Sequence, residues 1–232
     1  INRKQSNLKM FEFGKDYIKN NNKYIEEEKL CLFITGNKSS KNWNKTLHKS
    51  DFYYVKGVVS SIIDRLNLSK ANSKPTIDKN LKDGETLILN DKPLVSFGFI
   101  SQNSLDVFDI EQEVYYVEFN WGNVLGSINK GPVLFQEIPK FPEVSRDLSI
   151  LIDEDISFES IYNSAYKANK NLIKNISLFD VYIGNNIPKN KKSYGLNFKI
   201  SDKSKTLSDN EIDHLMKNVT NNLIKEFGAE LR

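Results

Sequence analysis

The chain has 232 residues, enough for two modest domains, with 39% apolar and 27% charged residues, as in an ordinary globular protein. A net charge of +3 excludes a histone-like binder but leaves room for a local basic surface. The single cysteine, Cys31, excludes an internal disulfide and fits a reducing compartment, the cytoplasm. No apolar run is long enough to span a bilayer, and no signal peptide is expected.

Ile1 leads directly into Asn2-Arg3-Lys4 without a starting Met, so a fragment of a longer protein is expected. Residues 9–18 alternate around Met10, Phe11, Phe13, Tyr17 and Ile18, predicting a strand with a bulge or close approach at Gly14. Asn20-Asn21-Asn22 reads as a turn. Glu28 to Gly36 is apolar on both faces, as in a central strand, and Cys31 is expected to be buried in it. Residues 37–49 form a polar loop whose Trp43 is expected to tuck against the sheet. Asp51 caps a helix carrying Phe52, Val55, Val58, Val59, Ile62, Ile63 and Leu66 on its apolar side.

Residues 71–75 read as a loop. Asp83-Gly84 and Asn90-Asp91 each read as a hairpin turn. Leu94–Ile100 and Val114–Phe119 are strands, the second followed by Trp121 and a turn at Gly122. Residues 1–128 thus predict a mostly antiparallel sheet with one packed helix, from which further strands are missing. Gly131-Pro132, Pro139 and Pro142 mark a linker, placed at 129–139, where Val133-Leu134-Phe135 adds a short strand.

Residues 140–232 read as strand, helix, two strands, helix and a closing strand, a ferredoxin-like βαββαβ sandwich. Leu148–Ile152 is the first strand. Ser157 caps a helix with Ile161, Ala165, Ala168, Leu172 and Ile176 on one face. Ile176–Ile183 and Lys192–Ile200 pair across a basic turn at Pro188–Lys192. Ser208 and Glu211 make a capping box, Gly228 stops the last helix, and 229–232 close the sheet edge. Each helix has a single apolar stripe, so both cover one sheet face and leave the other open. The fold class is therefore α+β in both halves.

Catalytic signals are lacking. There is no phosphate-binding glycine loop, no metal-binding cysteine pair and no His-Glu-x-x-His. His48 and His214 stand far apart, and Asp153-Glu154-Asp155 reads as a solvated turn. No catalytic and no metal-binding residue is assigned. The middle hairpin is more suggestive: Asp180 and Tyr182 share one face, Phe179, Val181 and Ile183 the other, with Lys189, Lys191, Lys192, Ser193 and Tyr194 returning. Aromatic rings stack bases and ammonium groups hold phosphates. A solvated hairpin tip with a half-buried tyrosine is the competing reading.

Five segments carry a resemblance: Ile138-Pro-Lys-Phe-Pro through Arg146-Asp147-Leu148, Leu178–Tyr182, Pro188 with Lys191-Lys192-Ser193, Lys205–Asp209, and Gly228–Arg232. In this order they resemble the ferredoxin-fold anticodon-binding domain that closes the β subunit of bacterial phenylalanyl-tRNA synthetases. Asn2–Lys4, Phe11–Lys15, Asp51–Val59 and Val114–Phe119 resemble the synthetase-like, non-catalytic core of the same subunit.

The resemblance implies a subunit of an α2β2 phenylalanine–tRNA ligase. The α subunit would use ATP and magnesium to charge phenylalanine tRNA, with no cofactor held by this chain. It implies tRNA contacts by Asp180, Tyr182, Ser193, Lys191, Lys192, Arg146 and Arg232. Tyr182 would stack on a base, Asp180 and Ser193 would bond base edges, and the lysines would hold phosphates. Arg146 and Arg232 would approach backbone or bases. Many such subunits carry a His-Pro-Gly-Arg-Ser-Ala segment before the Gly98 strand; here Asp78–Gly84 replaces it, so its contacts do not transfer. The alternatives are a free-standing RNA-binding module and, third, a small-molecule enzyme on a ferredoxin-like fold, for which no pocket residues stand out.

Overall fold

The computed structural model describes residues 5–20, 23–44, 46–128 and 139–232. The start of the chain, the turn at Asn21–Asn22, most of the expected linker and its strand at Val133–Phe135 lie outside the described residues. The chain divides into two compact units, Ile1–Val133 and Leu134–Arg232.

The first unit contains β1 (Leu8–Asn20), β2 (Lys23–Thr35), α1 (Phe52–Arg65), β3 (Asn72–Pro75), β4 (Leu81–Leu89), β5 (Lys92–Ile100), α2 (Gln102–Asp106), β6 (Val114–Asn120) and α3 (Trp121–Ser127). Its six strands are antiparallel in the order β1-β2-β6-β5-β4-β3. β2 pairs on both sides, which accounts for its two apolar faces. Leu30 and Ile34 enter the core with Phe97, Val117 and Phe119, under Val55, Val59 and Ile63 of α1. The spacing of those three helix residues, four apart, is what puts them on one stripe. The Asp51 carboxylate caps α1, accepting from the Tyr54 amide at 2.7 Å. The Lys38 ammonium and that amide hold its carboxyl below the usual range.

The structure departs from the sequence pattern at several places. Gly14 pairs in register with Lys29, with open space where a Cβ would stand, so β1 has neither bulge nor close approach there. Trp43 is 94% exposed; its neighbours Lys41, Asn42 and Asn44 offer it no apolar anchor. Residues 72–75 are an edge strand, where an unpaired side tolerates Pro75. Trp121 opens a helix, capped by Asn120, rather than a turn. The short α2 had no periodic signal.

Asp83-Gly84 is a bulge within β4, not a hairpin turn. Asp83 takes the left-handed conformation, and a Cβ on Gly84 would lie 2.8 Å from the Phe97 carbonyl oxygen. A Cβ on Gly98 would lie 2.8 Å from the Gly84 Cα, so two glycines let these strands touch. Asn90-Asp91 does turn the hairpin, with both residues at positive φ as a type I′ turn requires.

The second unit contains β7 (Val144–Asp153), α4 (Phe158–Ala168), β8 (Ile173–Tyr182), β9 (Lys191–Ile200), α5 (Asp209–Phe227) and β10 (Glu230–Leu231). The order β10-β7-β9-β8, antiparallel throughout, is the ferredoxin-like arrangement. Its core joins Ile161 and Ala165 of α4 and Ile212, Leu215, Val219 and Leu223 of α5 to Ile150, Ile152, Leu196, Phe198 and Ile200. α4 stops at Ala168, because the Asn169 side chain accepts from the Asn171 and Leu172 amides and turns the chain. Leu172 and Ile176 therefore reach the core from the turn and from β8, not from the helix.

The Ser208–Glu211 capping box forms, and Gly228 ends α5 in the left-handed conformation. The Lys205 ammonium, the Ser208 amide and the Ser208 hydroxyl all bind the Glu211 carboxylate and push its pKa down to about 2.

Two outcomes follow from this packing. Gly98→Ala should destabilise the chain by about 1–3 kcal/mol in urea denaturation, while Gly14→Ala, facing open space, should not lower the midpoint. The folded state holds the Glu211 carboxylate ionised more strongly than the unfolded state does, so the stability it contributes is complete above its ordinary value of 4.5 and fades as pH falls through about 2. Wild type should therefore exceed Glu211→Gln in stability near pH 6, and the gap should narrow below about pH 4.5 and close below about pH 2.

Candidate nucleic-acid interface

In the second unit the register of β9 decides which side chains face away from the helices. Side chains alternate along a strand, and directly paired residues share a face. Tyr194, Leu196, Phe198 and Ile200 turn to the helices. Ser193, Gly195 and Asn197 turn the other way. Their partners form rows across the open face: Tyr182, Ser193, Leu151 and Glu230 in one; Asp180, Gly195 and Ser149 in the next; Ser177, Asn197 and Asp147 in a third. Arg232 joins the second row by donating its amide to the Ser149 carbonyl at 3.1 Å.

This face is polar with aromatic rings set in it. Tyr182 is half-buried there, and the Arg232 guanidinium carbon lies 5.4 Å from its ring centroid. The phenol is seated against Gly184, where a Cβ would stand 2.7 Å from its hydroxyl. Asp180 is exposed and Ser193 is 5% exposed, at the floor beside Tyr182. The Asn197 amide donates to Ser145 Oγ at 2.7 Å and Asp147 Oδ1 at 2.6 Å.

Simple alternation fails at one place. A register shift between Leu178 and Asp180 makes a bulge, and the Phe179 ring lies over Gly195, 2.8 Å from where a Cβ would stand. Phe179, 59% exposed, therefore shares the open face with Asp180 and Tyr182 instead of lying opposite them. Only a glycine at 195 leaves room for it. An isolated glycine inside a strand is a legible sign of such an approach, although the identity of the approaching ring is not.

Two expected contact residues lie elsewhere. Lys192 faces the helix side in register with Ile152, is 9% exposed, donates to the Glu154 carbonyl at 2.7 Å and sits 4.9 Å over the Tyr194 ring. Arg146 is in register with Phe198, also on the helix side, and pairs with Asp209 of α5 at 3.2 Å. Lys191 is on the open face, paired to Glu230, whose hydrogen bond raises the lysine pKa. Thus the structure gathers Asp180, Tyr182, Ser193, Lys191 and Arg232, adds Phe179, and separates Lys192 and Arg146.

The arrangement suits a planar ligand with polar edges: rings to stack, a carboxylate and a hydroxyl to bond base edges, a guanidinium to meet acceptors. Elsewhere, Cys31 is half-buried beside the Tyr116 hydroxyl at 3.1 Å, and burial pushes its thiol up, away from reactivity. Among the described residues no cluster of three or more His, Cys, Asp or Glu could hold a metal ion, and no helix is long and apolar enough to cross a membrane.

Comparison with known proteins matches both units. Residues 139–232 match the ferredoxin-fold anticodon binding domain, and residues 1–121 the phenylalanyl tRNA synthetase beta chain CLM domain. Together they set the chain in the class of aminoacyl-tRNA synthetase subunits. Within that class it belongs to the phenylalanyl-tRNA synthetase beta chain family. It is 38% identical to the phenylalanine–tRNA ligase beta subunit of Bacteroides fragilis, 37% to that of Bacteroides thetaiotaomicron and 32% to that of Porphyromonas gingivalis. Each match covers 100% of this chain and 30% of the relative, so the chain spans about 30% of the length of these relatives.

The two neighbouring lysines have opposite roles, which stability measurements will separate. Lys192→Ala removes a charge-assisted bond to a backbone carbonyl and should cost about 1.5–3 kcal/mol in urea denaturation. Lys191→Ala, on the exposed face, should leave the midpoint unchanged.

Proposed function

We propose that the second unit holds the anticodon of phenylalanine tRNA on its open sheet face, as the anticodon-binding end of a phenylalanyl-tRNA synthetase β subunit. The observation that carries this reading is a polar face, free of helices of this unit among the described residues, on which Phe179, Asp180, Tyr182, Ser193 and Arg232 converge. Tyr182 stacks on a base, Asp180 and Ser193 bond base edges, and Arg232 meets a base or the backbone. Lys191 reaches a phosphate once it leaves Glu230. The name of the matching domain model supports the anticodon as the target.

The ligation of phenylalanine to tRNA, with ATP and magnesium, would then be the work of a separate α subunit in an α2β2 enzyme of the cytoplasm. The first unit supports a platform role, because its β1–β2 hairpin exposes Phe11 at 71%, Phe13 at 56% and Tyr17 at 66%. Patches of this kind mark protein contacts.

Stem-loops carrying the phenylalanine anticodon and a swapped anticodon test the reading. Tyr182→Ala should weaken the matched stem-loop by about 1–3 kcal/mol in a fluorescence-anisotropy titration. Equal affinity of wild type and variant for the matched loop would overturn the assignment.

A further inference from the structure

We propose a second, sequence-independent RNA site at the opposite end of the second unit, where Lys170, Lys174 and Lys203 hold backbone phosphates. It rests on the reading that this unit binds RNA, and it adds an electrostatic contact at a different place. Where α4 ends, β8 begins and β9 leaves the sheet, a cleft of about 400 Å³ is lined by Tyr166, Lys170, Asn171, Lys174, Asp202 and Lys203.

Among the described residues, several cations of the unit are ion-paired, and the three that line this cleft are not. Lys191 is neutralised by Glu230, Lys199 by Glu143 at 3.2 Å, Lys205 by Glu211, and Arg146 by Asp209. Lys170, Lys174 and Lys203 are exposed and form no ion pair with a carboxylate among the described residues. The Lys174 ammonium instead donates to the Asn171 carbonyl at the cleft wall. The one carboxylate in the lining, Asp202, accepts from the Ser204 amide at 2.7 Å and the Ser204 hydroxyl at 2.6 Å, and so is engaged in its own turn. The Tyr166 ring is fixed by stacking on Tyr162, centroids 5.7 Å apart.

Three cations against one occupied carboxylate select an anion, and the size of the cleft exceeds a single phosphate group. Ser193 and Ile200 lie seven positions apart on β9, about 23 Å along the strand. A ligand that reaches both the aromatic face and this cleft is therefore a polynucleotide rather than a mononucleotide. Lysine ammonium groups contribute charge without reading bases, so this end fixes the RNA while the open face reads it.

The test uses the full chain with two tRNAs, one bearing the phenylalanine anticodon and one a swapped anticodon, titrated over a salt series. The triple variant Lys170→Gln, Lys174→Gln, Lys203→Gln should weaken both tRNAs by the same factor. It should also make log K against log salt shallower by about 2–3, since each neutralised phosphate contributes about 0.7–0.9. Tyr182→Ala should weaken only the matched tRNA and leave the slope alone. An unchanged slope in the triple variant, with Tyr182→Ala still selective, overturns the phosphate site and leaves the anticodon reading standing. A shallower slope with a silent Tyr182→Ala does the reverse. If neither variant alters binding, both fail.

Discussion

The pairing of β9 between β7 and β8 is the constraint on which the second unit depends. It runs without a register shift against β7 over ten residues, from Val144↔Ile200 to Asp153↔Lys191. A slip of one residue would send Tyr194, Leu196, Phe198 and Ile200 into solvent and bring Ser193, Gly195 and Asn197 under the helices. The apolar set is wholly buried or nearly so, which pins the register, and the pinned register in turn exports the polar set. The candidate interface is thus the complement of the core, specified by the same alternation.

Lys191 and Lys192 show how sharp that division is. They are adjacent in sequence and alike in chemistry, yet one lies on the open face against Glu230 and the other lies over the Tyr194 ring and donates to a backbone carbonyl. A basic dipeptide in a strand is not a basic patch, because its two charges leave in opposite directions. On the open face Lys191 is held by Glu230, and Arg232 lies against the Tyr182 ring. Three further lysines, without a carboxylate partner among the described residues, line one cleft where α4 and β9 leave the sheet.

Elements with a long periodic signal were legible: α1, α5, the strands of β9 and β6, the caps at Asp51, Ser157 and Ser208, and the left-handed stop at Gly228. Features decided by a single residue were not. Asp83-Gly84 has the composition of a hairpin turn, but Gly98 opposite it makes a bulge the tighter solution. Asn169 truncates α4 through side-chain bonds that no hydrophobic pattern reports. At the candidate interface, Asp180 and Tyr182 followed from alternation, whereas Phe179 required the bulge at 178–180 and Arg146 required knowledge of its register with Phe198.

Cys31 has a practical corollary. It is the sole thiol of the chain, kept protonated by burial and held against a phenol that is itself turned toward Glu118. A cysteine introduced at a solvent-facing position would ionise more readily and outpace it toward maleimides or methanethiosulfonates. Dyes and spin labels should therefore favour the introduced thiol over the native one.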